Sequence, residues 1–217
     1  MKPLLIVAGL AREARAAGKG VSCVLSGADG ALLRARLAEI DPADYAGVVS
    51  FGLAGGLEPT LKPGALVLGA RAVVAGATYD CAPQLVARLA AGLRARRLAF
   101  TQGVVAGVER PALGVADEAA LRARTRAIAV DMESHVAGDF AARARLPFAI
   151  LRATSDPADR ALPALAAAAL DGEGRVRLGH VLGALARRPG DAGALLAAGR
   201  DARAAFRSLR KCRGMFA

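Results

Sequence analysis

The chain is poor in the side chains that usually build a metal centre, a disulfide framework or an aromatic platform. It has three cysteines, Cys23, Cys81 and Cys212, far apart, odd in number and without a CxxC pair, and only two histidines, His135 and His180. That pattern argues against a zinc site and against a disulfide scaffold. Nothing near Cys23 or Cys81 in sequence marks a lowered thiol pKa, so both read as core thiols. Tryptophan is absent and aromatics make up 4% of the chain, so helix surfaces should be small-residue and closely packed. Nowhere does an uncharged apolar run reach the roughly 18 residues that a membrane span needs. The N-terminal MKPLLIVAGLA is apolar only briefly and stops at Arg12-Glu13, where an Ala-rich helix opens. It therefore reads as a buried first strand rather than a signal peptide, and a soluble protein of the reducing cytoplasm is expected.

What is present is a large apolar fraction, 54% over 217 residues, enough for one full core. We expect a single domain spanning residues 1–217, with residues from about 161 to 217 forming a helical C-terminal extension. Short apolar runs alternate with Ala/Arg/Leu helical stretches, an α/β rhythm. Strands are predicted at Leu4 to Ala8, Val21 to Leu25, Gly47 to Phe51, Ala65 to Ala70, Ala72 to Ala75, Phe100 to Val105, Ala127 to Val130 and Phe148 to Arg152. Helices are predicted at Ala31 to Ile40, Gln84 to Arg96, Glu118 to Thr125 and Ser134 to Ala144, and a glycine-rich turn at Gly52 to Gly56. The expected fold class is α/β, a twisted mixed sheet between helices.

Acidic residues are outnumbered, 19 against 30 Lys and Arg, for a net charge of +11. From Arg187 to the C-terminus there are eight Lys/Arg against two Asp, with Ala202, Ala205, Phe206 and Leu209 at helical spacing. A basic amphipathic helix is expected there. Two readings stand: a helix packed on the domain with a solvated basic face, or a peripheral contact with an anionic membrane surface. No nucleic-acid partner is expected, because no recognised motif or aromatic interleaving accompanies the charge.

Against this background two acids have strongly apolar surroundings. Glu133 stands where the run Ile128 to Val130 gives way to a helix, and Asp156 stands just past the run Pro147 to Leu151. Strand ends of this kind line ligand crevices in parallel α/β sheets. Taken singly, each also reads as a helix-end acid or a capping turn. A third acid, Glu13, follows the first strand and alone reads as an exposed first-turn glutamate. His135 reads as a satisfied structural histidine and His180 as a surface helix residue. The segment Ser50-Phe51-Gly52-Leu53-Ala54-Gly55-Gly56-Leu57 follows a strand, so its N–H groups could cradle an anion or a sugar oxygen. Glu58-Pro59-Thr60-Leu61-Lys62-Pro63 then leads to a strand instead of a helix, so dinucleotide-fold and P-loop readings fail.

Taken in order, these segments resemble the purine nucleoside phosphorylase and nucleosidase family. SFGLAGGLEPTLKPGALVL is similar to that family's glycine loop with its following turn and strand, AVDMES to its Met-Glu ribose motif, and LPFAILRATSD to its Arg-x-x-Ser-Asp base motif. The resemblance covers most of the first 160 residues. It implies cleavage of a purine nucleoside's N-glycosidic bond, with Asp156 protonating purine N7 and Glu133 holding the ribose hydroxyls. Met132 would form a soft wall against the sugar. Glu13 would orient or deprotonate an attacking water, and Arg152 would help hold that water or a phosphate. Ser155, Ser50, Gly52, Leu53, Ala54 and Gly55 belong to the same implied site. No metal or organic cofactor is implied, with inorganic phosphate the alternative nucleophile to water; a homodimer is implied.

Two departures from the pattern bear on this. Leu53 stands where the family commonly has Ser or Thr, which favours water over phosphate. No aromatic stands near Glu109 to Pro111, where nucleosidases stack the base, leaving Arg110 as the only flat side chain there. A finer resemblance, through VDMESH, RATSDPADRALP and the arginine-rich C-terminal helix, is to the hopanoid-associated phosphorylase branch, which implies adenosylhopane as substrate. The small-residue stretch Ala161 to Leu170 and the basic tail would then serve a lipid-tailed 5′ substituent. A methylthioadenosine or adenosylhomocysteine nucleosidase remains open, as does a non-catalytic nucleoside- or lipid-binding module.

Overall fold

The computed structural model describes residues 2–110, 114–160 and 192–216. His180, the stretch Ala161 to Leu170 and Pro111 lie outside the described residues, as does most of the predicted C-terminal extension. The elements run β1 (Leu4–Ala8), α1 (Ala11–Ala17), β2 (Ser22–Leu25), α2 (Gly30–Ala38), β3 (Gly47–Gly56), β4 (Leu66–Val74) and β5 (Ala77–Asp80). Then come α3 (Pro83–Ala95), β6 (Phe100–Gly107), α4 (Val115–Thr125), β7 (Ala129–Asp131), α5 (Ser134–Ala144), β8 (Phe148–Asp156) and α6 (Ala192–Lys211).

The strands form one mixed sheet in the order β2-β1-β3-β7-β6-β4-β5, with β8 pairing both β3 and β4. That double pairing closes β3, β7, β6, β4 and β8 into a ring, leaving β1 and β2 as a parallel wing on β3. Strands covered on both faces should be apolar throughout, and β1 is buried at all five positions. Helices α1 and α6 pack together beside β1, β3 and β8, while α5 lies against β3, β4, β6 and β8. The fold class is the expected one: α/β, with a mixed sheet flanked by helices.

Three local expectations are corrected. Gly52 to Gly56 is no turn but the second half of β3, which pairs with β8 from Val48↔Phe148 to Gly55↔Asp156 with one register shift between Ala54 and Gly55. Glycine disfavours strands in isolation, but the pairing overrides that preference and the missing side chains leave room for acids. The two strands expected at 65–75 are one, β4, with a register shift between Gly69 and Arg71 against β6. Its irregularity was readable only as a break. The edge strand β5, joined to β4 through Gly76 at φ 81°, is too short and too exposed to leave an apolar signal. In addition, β8 runs to Asp156, so that acid ends the strand instead of following it.

The three thiols are free; Cys81 and Cys212 are buried and Cys23 half-buried. Burial pushes Cys23 and Cys81 up to about 12 and Cys212 up to about 11. Such thiols stay protonated near neutral pH and are poor nucleophiles.

Candidate active site

Glu13 occupies the third position of α1 and points into the sheet, 2% exposed. Its Oε2 accepts hydrogen bonds from the backbone N–H of Gly9 at 2.7 Å and of Leu10 at 2.8 Å, the reach-back half of a capping box. Its Oε1 accepts from Leu53 N–H at 2.8 Å. The contact is allowed by glycine: a Cβ on Gly52 would stand 2.7 Å from the carboxyl oxygens. Burial pushes this carboxyl up to about 7, and the charge of Glu133 adds to the rise against the pull of Arg152 and the backbone donors.

Glu133 sits at the start of α5, immediately after β7, and is 6% exposed. Its Oε1 accepts from Ser26 Oγ at 2.8 Å, and its Oε2 lies 3.3 Å from Arg152 Nη1. Gly9 separates the two glutamates: a Cβ there would fall 2.9 Å from Glu133 Oε1 and 3.2 Å from Glu13 Oε2. Burial also raises Glu133, partly countered by Arg152.

Arg152 is fully buried. Its Nε lies 2.7 Å from Asp131 Oδ2, an ion-pair contact off the N–H axis, and its Nη2 donates to Ser50 Oγ at 2.5 Å. Nη1 donates to Leu53 O at 3.2 Å. Burial works against this charge, but Asp131, Glu133 and Glu13 outweigh it and keep the guanidinium protonated. One cation thus serves three buried carboxyls, so the cluster holds surplus negative charge and a proton is drawn to it.

Asp156 is 9% exposed and lies opposite Gly55, where the β3–β8 register shifts and Ser155 becomes the unpaired extra residue. A Cβ on Gly55 would be 3.0 Å from Asp156 Oδ2. Ser155 Oγ donates to Asp156 Oδ1 at 2.5 Å. Burial raises the Asp156 carboxyl, with the Ser155 hydroxyl and Arg160 pulling it down.

Residues 7–187 match the family model described as "Phosphorylase superfamily". The chain belongs to the phosphorylase superfamily. No curated protein matches the sequence. Among solved structures, this superfamily member is similar in fold to the 5′-methylthioadenosine/S-adenosylhomocysteine nucleosidase of Neisseria meningitidis in complex with methylthio-immucillin-A. The TM-score is 0.72 at 18% identity, over 98% of this chain and 96% of that one. A point mutant of the Helicobacter pylori nucleosidase with 5′-methylthioadenosine in its active site aligns at TM-score 0.69 and 14% identity, over 98% of both chains. The futalosine hydrolase of the same organism aligns at 0.67 and 14%, over 96% of both.

Within this superfamily fold, Glu13, Glu133, Arg152, Ser50, Gly52 and Leu53 form one cluster. Asp156, Ser155, Ala54 and Gly55 stand further along the same two strands. Met132 precedes Glu133 and is half-buried. Arg110 is exposed, at a groove of about 780 Å³ lined also by Val73, Gly107, Glu109 and Leu121. A smaller groove of about 400 Å³, between Leu57, Pro59, Glu118, Arg122 and Ala158, opens past the end of β3. Neither groove is lined by Glu13, Glu133 or Asp156.

Sequence reasoning missed several members. Asp131 accepts from Ser134 N–H at 2.9 Å and from the Ser134 hydroxyl, whose oxygen lies 3.0 Å from Ser50 Oγ and can accept from it. The Asp-x-x-Ser spacing at a helix start was the available signal. Ser26 and Gly9 carried none. Glu118 is a buried acid one turn before the buried Leu121, so an acid on the apolar stripe of α4 was its signal. Its Oε2 has no hydrogen-bond partner among the described residues, and burial with Asp156 and Asp117 pushes it up to about 7. His135 contacts Glu109 Oε1 through Nε2 at 3.0 Å, and Arg34 clamps the same carboxylate.

Proposed function

We propose that this protein cleaves the N-glycosidic bond of a 5′-modified adenosine and releases adenine. The observation that carries the reading is the pair of buried glutamates divided by Gly9, with a third buried acid, Asp156, beyond them on the β3–β8 seam. Glu13 would take a proton from water as the water oxygen bonds to the anomeric carbon. The C–N bond breaks with its electrons going to the purine, and Asp156 supplies the proton that N7 gains. Glu133 would accept hydrogen bonds from the ribose hydroxyls, its carboxylate steadied by Ser26 and Arg152. An acid on one side and an activated nucleophile on the other is the logic of glycoside hydrolysis. Met132 would border the sugar and Arg110 the base.

Two observations favour water over phosphate. Arg152 is enclosed by Asp131, Glu133, Ser50 and the Leu53 carbonyl, and the Leu53 N–H is taken by Glu13. A phosphate would have to displace these partners. Arg152 accordingly acts as a positioning residue for Glu133 in this reading.

For the 5′ substituent we take a lipid tail, with adenosylhopane as the substrate, on the strength of the VDMESH and RATSDPADRALP segments. A methylthioadenosine or adenosylhomocysteine nucleosidase is the second reading, supported by the named activities of the structures of similar fold. A homodimer, which the family resemblance implies, completes the proposal and is checked by light scattering. The deciding assay incubates the protein with methylthioadenosine and with a lipid-tailed adenosine, each with and without phosphate, beside Asp156→Asn. Phosphate-independent adenine release lost in the variant supports hydrolysis. Equal inactivity of both proteins on every purine nucleoside overturns the proposal.

A further inference from the structure

On α6, Leu196, Arg200, Arg203, Arg207 and Arg210 follow one another at spacings of four and three, which places all five on one helical face. All five are exposed, Leu196 at 67%, while Ala205, Phe206 and Leu209 bury the other side of the helix. Helix α1 lies alongside. The Arg12 guanidinium stands 4.1 Å from the centre of the Phe206 ring, and Arg12 and Arg15 are exposed on the outer side of α1, with Glu13 turned inward. Burial lowers the Arg12 pKa, and Arg210, Arg15 and Arg203 add repulsion of like charge. Among the described residues no acid pairs with Arg12, Arg15, Arg203, Arg207 or Arg210, and Asp201 of α6 is bonded to Arg160. Lys211 and Arg213 extend the basic surface.

Surfaces normally intersperse both signs of charge, and a concentrated single-sign face is stabilised by a partner of the opposite sign. The stripe is a straight ridge about 21 Å long at 1.5 Å per residue. A second copy, itself at net charge +11, would press like charges together. The ridge exposes no aromatic ring on which a nucleic-acid base could stack, and it ends in an exposed leucine suited to the interfacial zone of a bilayer. We propose that the α1–α6 face docks on an anionic phospholipid bilayer, with α1 and its inward-facing Glu13 directly behind the docked surface. This surface does not depend on the activity proposed above, and its test reads binding alone.

The experiment floats the full chain with phosphatidylcholine vesicles, and with vesicles one-third phosphatidylglycerol, at low and high salt. Binding to the anionic vesicles only, lost at high salt, is expected. Each basic side chain near an anionic leaflet contributes roughly fivefold to partitioning, so Arg203→Gln/Arg207→Gln/Arg210→Gln should lower it about a hundredfold. The triple Lys variant should keep it, and both variants should melt at the parental temperature. No binding, equal binding to neutral vesicles, equal loss in the Lys and Gln variants, or displacement by duplex DNA at equal phosphate concentration would overturn the proposal.

Discussion

Gly52 lies directly against Glu13: a Cβ at position 52 would stand 2.7 Å from the carboxyl carbon and from both of its oxygens. The next residue, Leu53, donates its N–H to the same carboxylate. Gly52→Ala must therefore move the group proposed to activate water. Misplacing a catalytic group by about 1 Å costs on the order of a hundredfold in rate, while overpacking costs about 1–3 kcal/mol of stability. Adenine release and urea denaturation of the variant measure the two effects separately.

Asp156→Asn removes the proposed proton donor and keeps its shape. Loss of a general acid lowers turnover by roughly 10²- to 10⁴-fold. The melting temperature should hold or rise, because a carboxyl raised by burial is replaced by a neutral amide. Activity within about threefold of the parent, far short of that loss, would place the proton donor elsewhere.

The pH dependence should carry opposite signs for activity and stability. Glu13 must be ionised to accept a proton, so kcat/KM should rise with pH to a midpoint near its value of about 7. Glu133→Gln removes a like charge and should move that midpoint toward acid, with KM also raised. In the fold, Glu13 and Glu118 both stand at about 7 against an ordinary 4.5, so the native state holds protons that the unfolded chain has released. Stability should therefore fall as pH rises between these values. Glu13→Gln/Glu118→Gln should flatten that slope in denaturant titrations at stepped pH.

Removing the buried cation is the most damaging change expected. Arg152→Met leaves Asp131 and Glu133 without their common counter-ion, and breaking a buried pair on one side costs about 3–5 kcal/mol. Adding Asp131→Asn to Arg152→Met should recover part of the loss, since contacting residues do not behave additively. A double-mutant cycle by urea denaturation checks the sign of the coupling.

Arg34→Ala should act on substrate binding more than on the fold. Arg34 and His135 both engage Glu109, holding its carboxyl down at about 2, at the segment proposed to border the base. The pair is half-exposed, so its stability value is at most about 1 kcal/mol. A severalfold rise in KM at unchanged kcat is expected from steady-state kinetics.

Much of the fold was legible where apolar periodicity was strong. β1 is entirely buried and α5 begins and ends where its pattern does, at Ser134 and Ala144. The failures share one cause. Gly52 to Gly56 and the Gly69–Arg71 irregularity depend on what pairs with them, and a local window contains neither partner. In the cluster, Glu133 and Asp156 stood out as acids in apolar settings and Glu13 entered only through the family resemblance, whereas Ser26, Asp131 and Ser134 are ordinary polar residues until the chain brings them to Glu133 and Arg152.

The sequence by itself determined the α/β alternation, the ordered motifs of the superfamily and the three acids, because burial patterns and unusual residue placements are local properties of a chain. Only the tertiary structure decided what those acids are. Closing β8 onto β3 sets Gly55 against Asp156, and folding α1 over β3 sets Gly52 against Glu13. Desolvation and the excess of carboxyls over the single Arg152 then raise Glu13 from an ordinary first-turn glutamate to about 7. Charge and dielectric depend on distances through space, and residues 13, 52, 133 and 152 acquire those distances only when the sheet has formed.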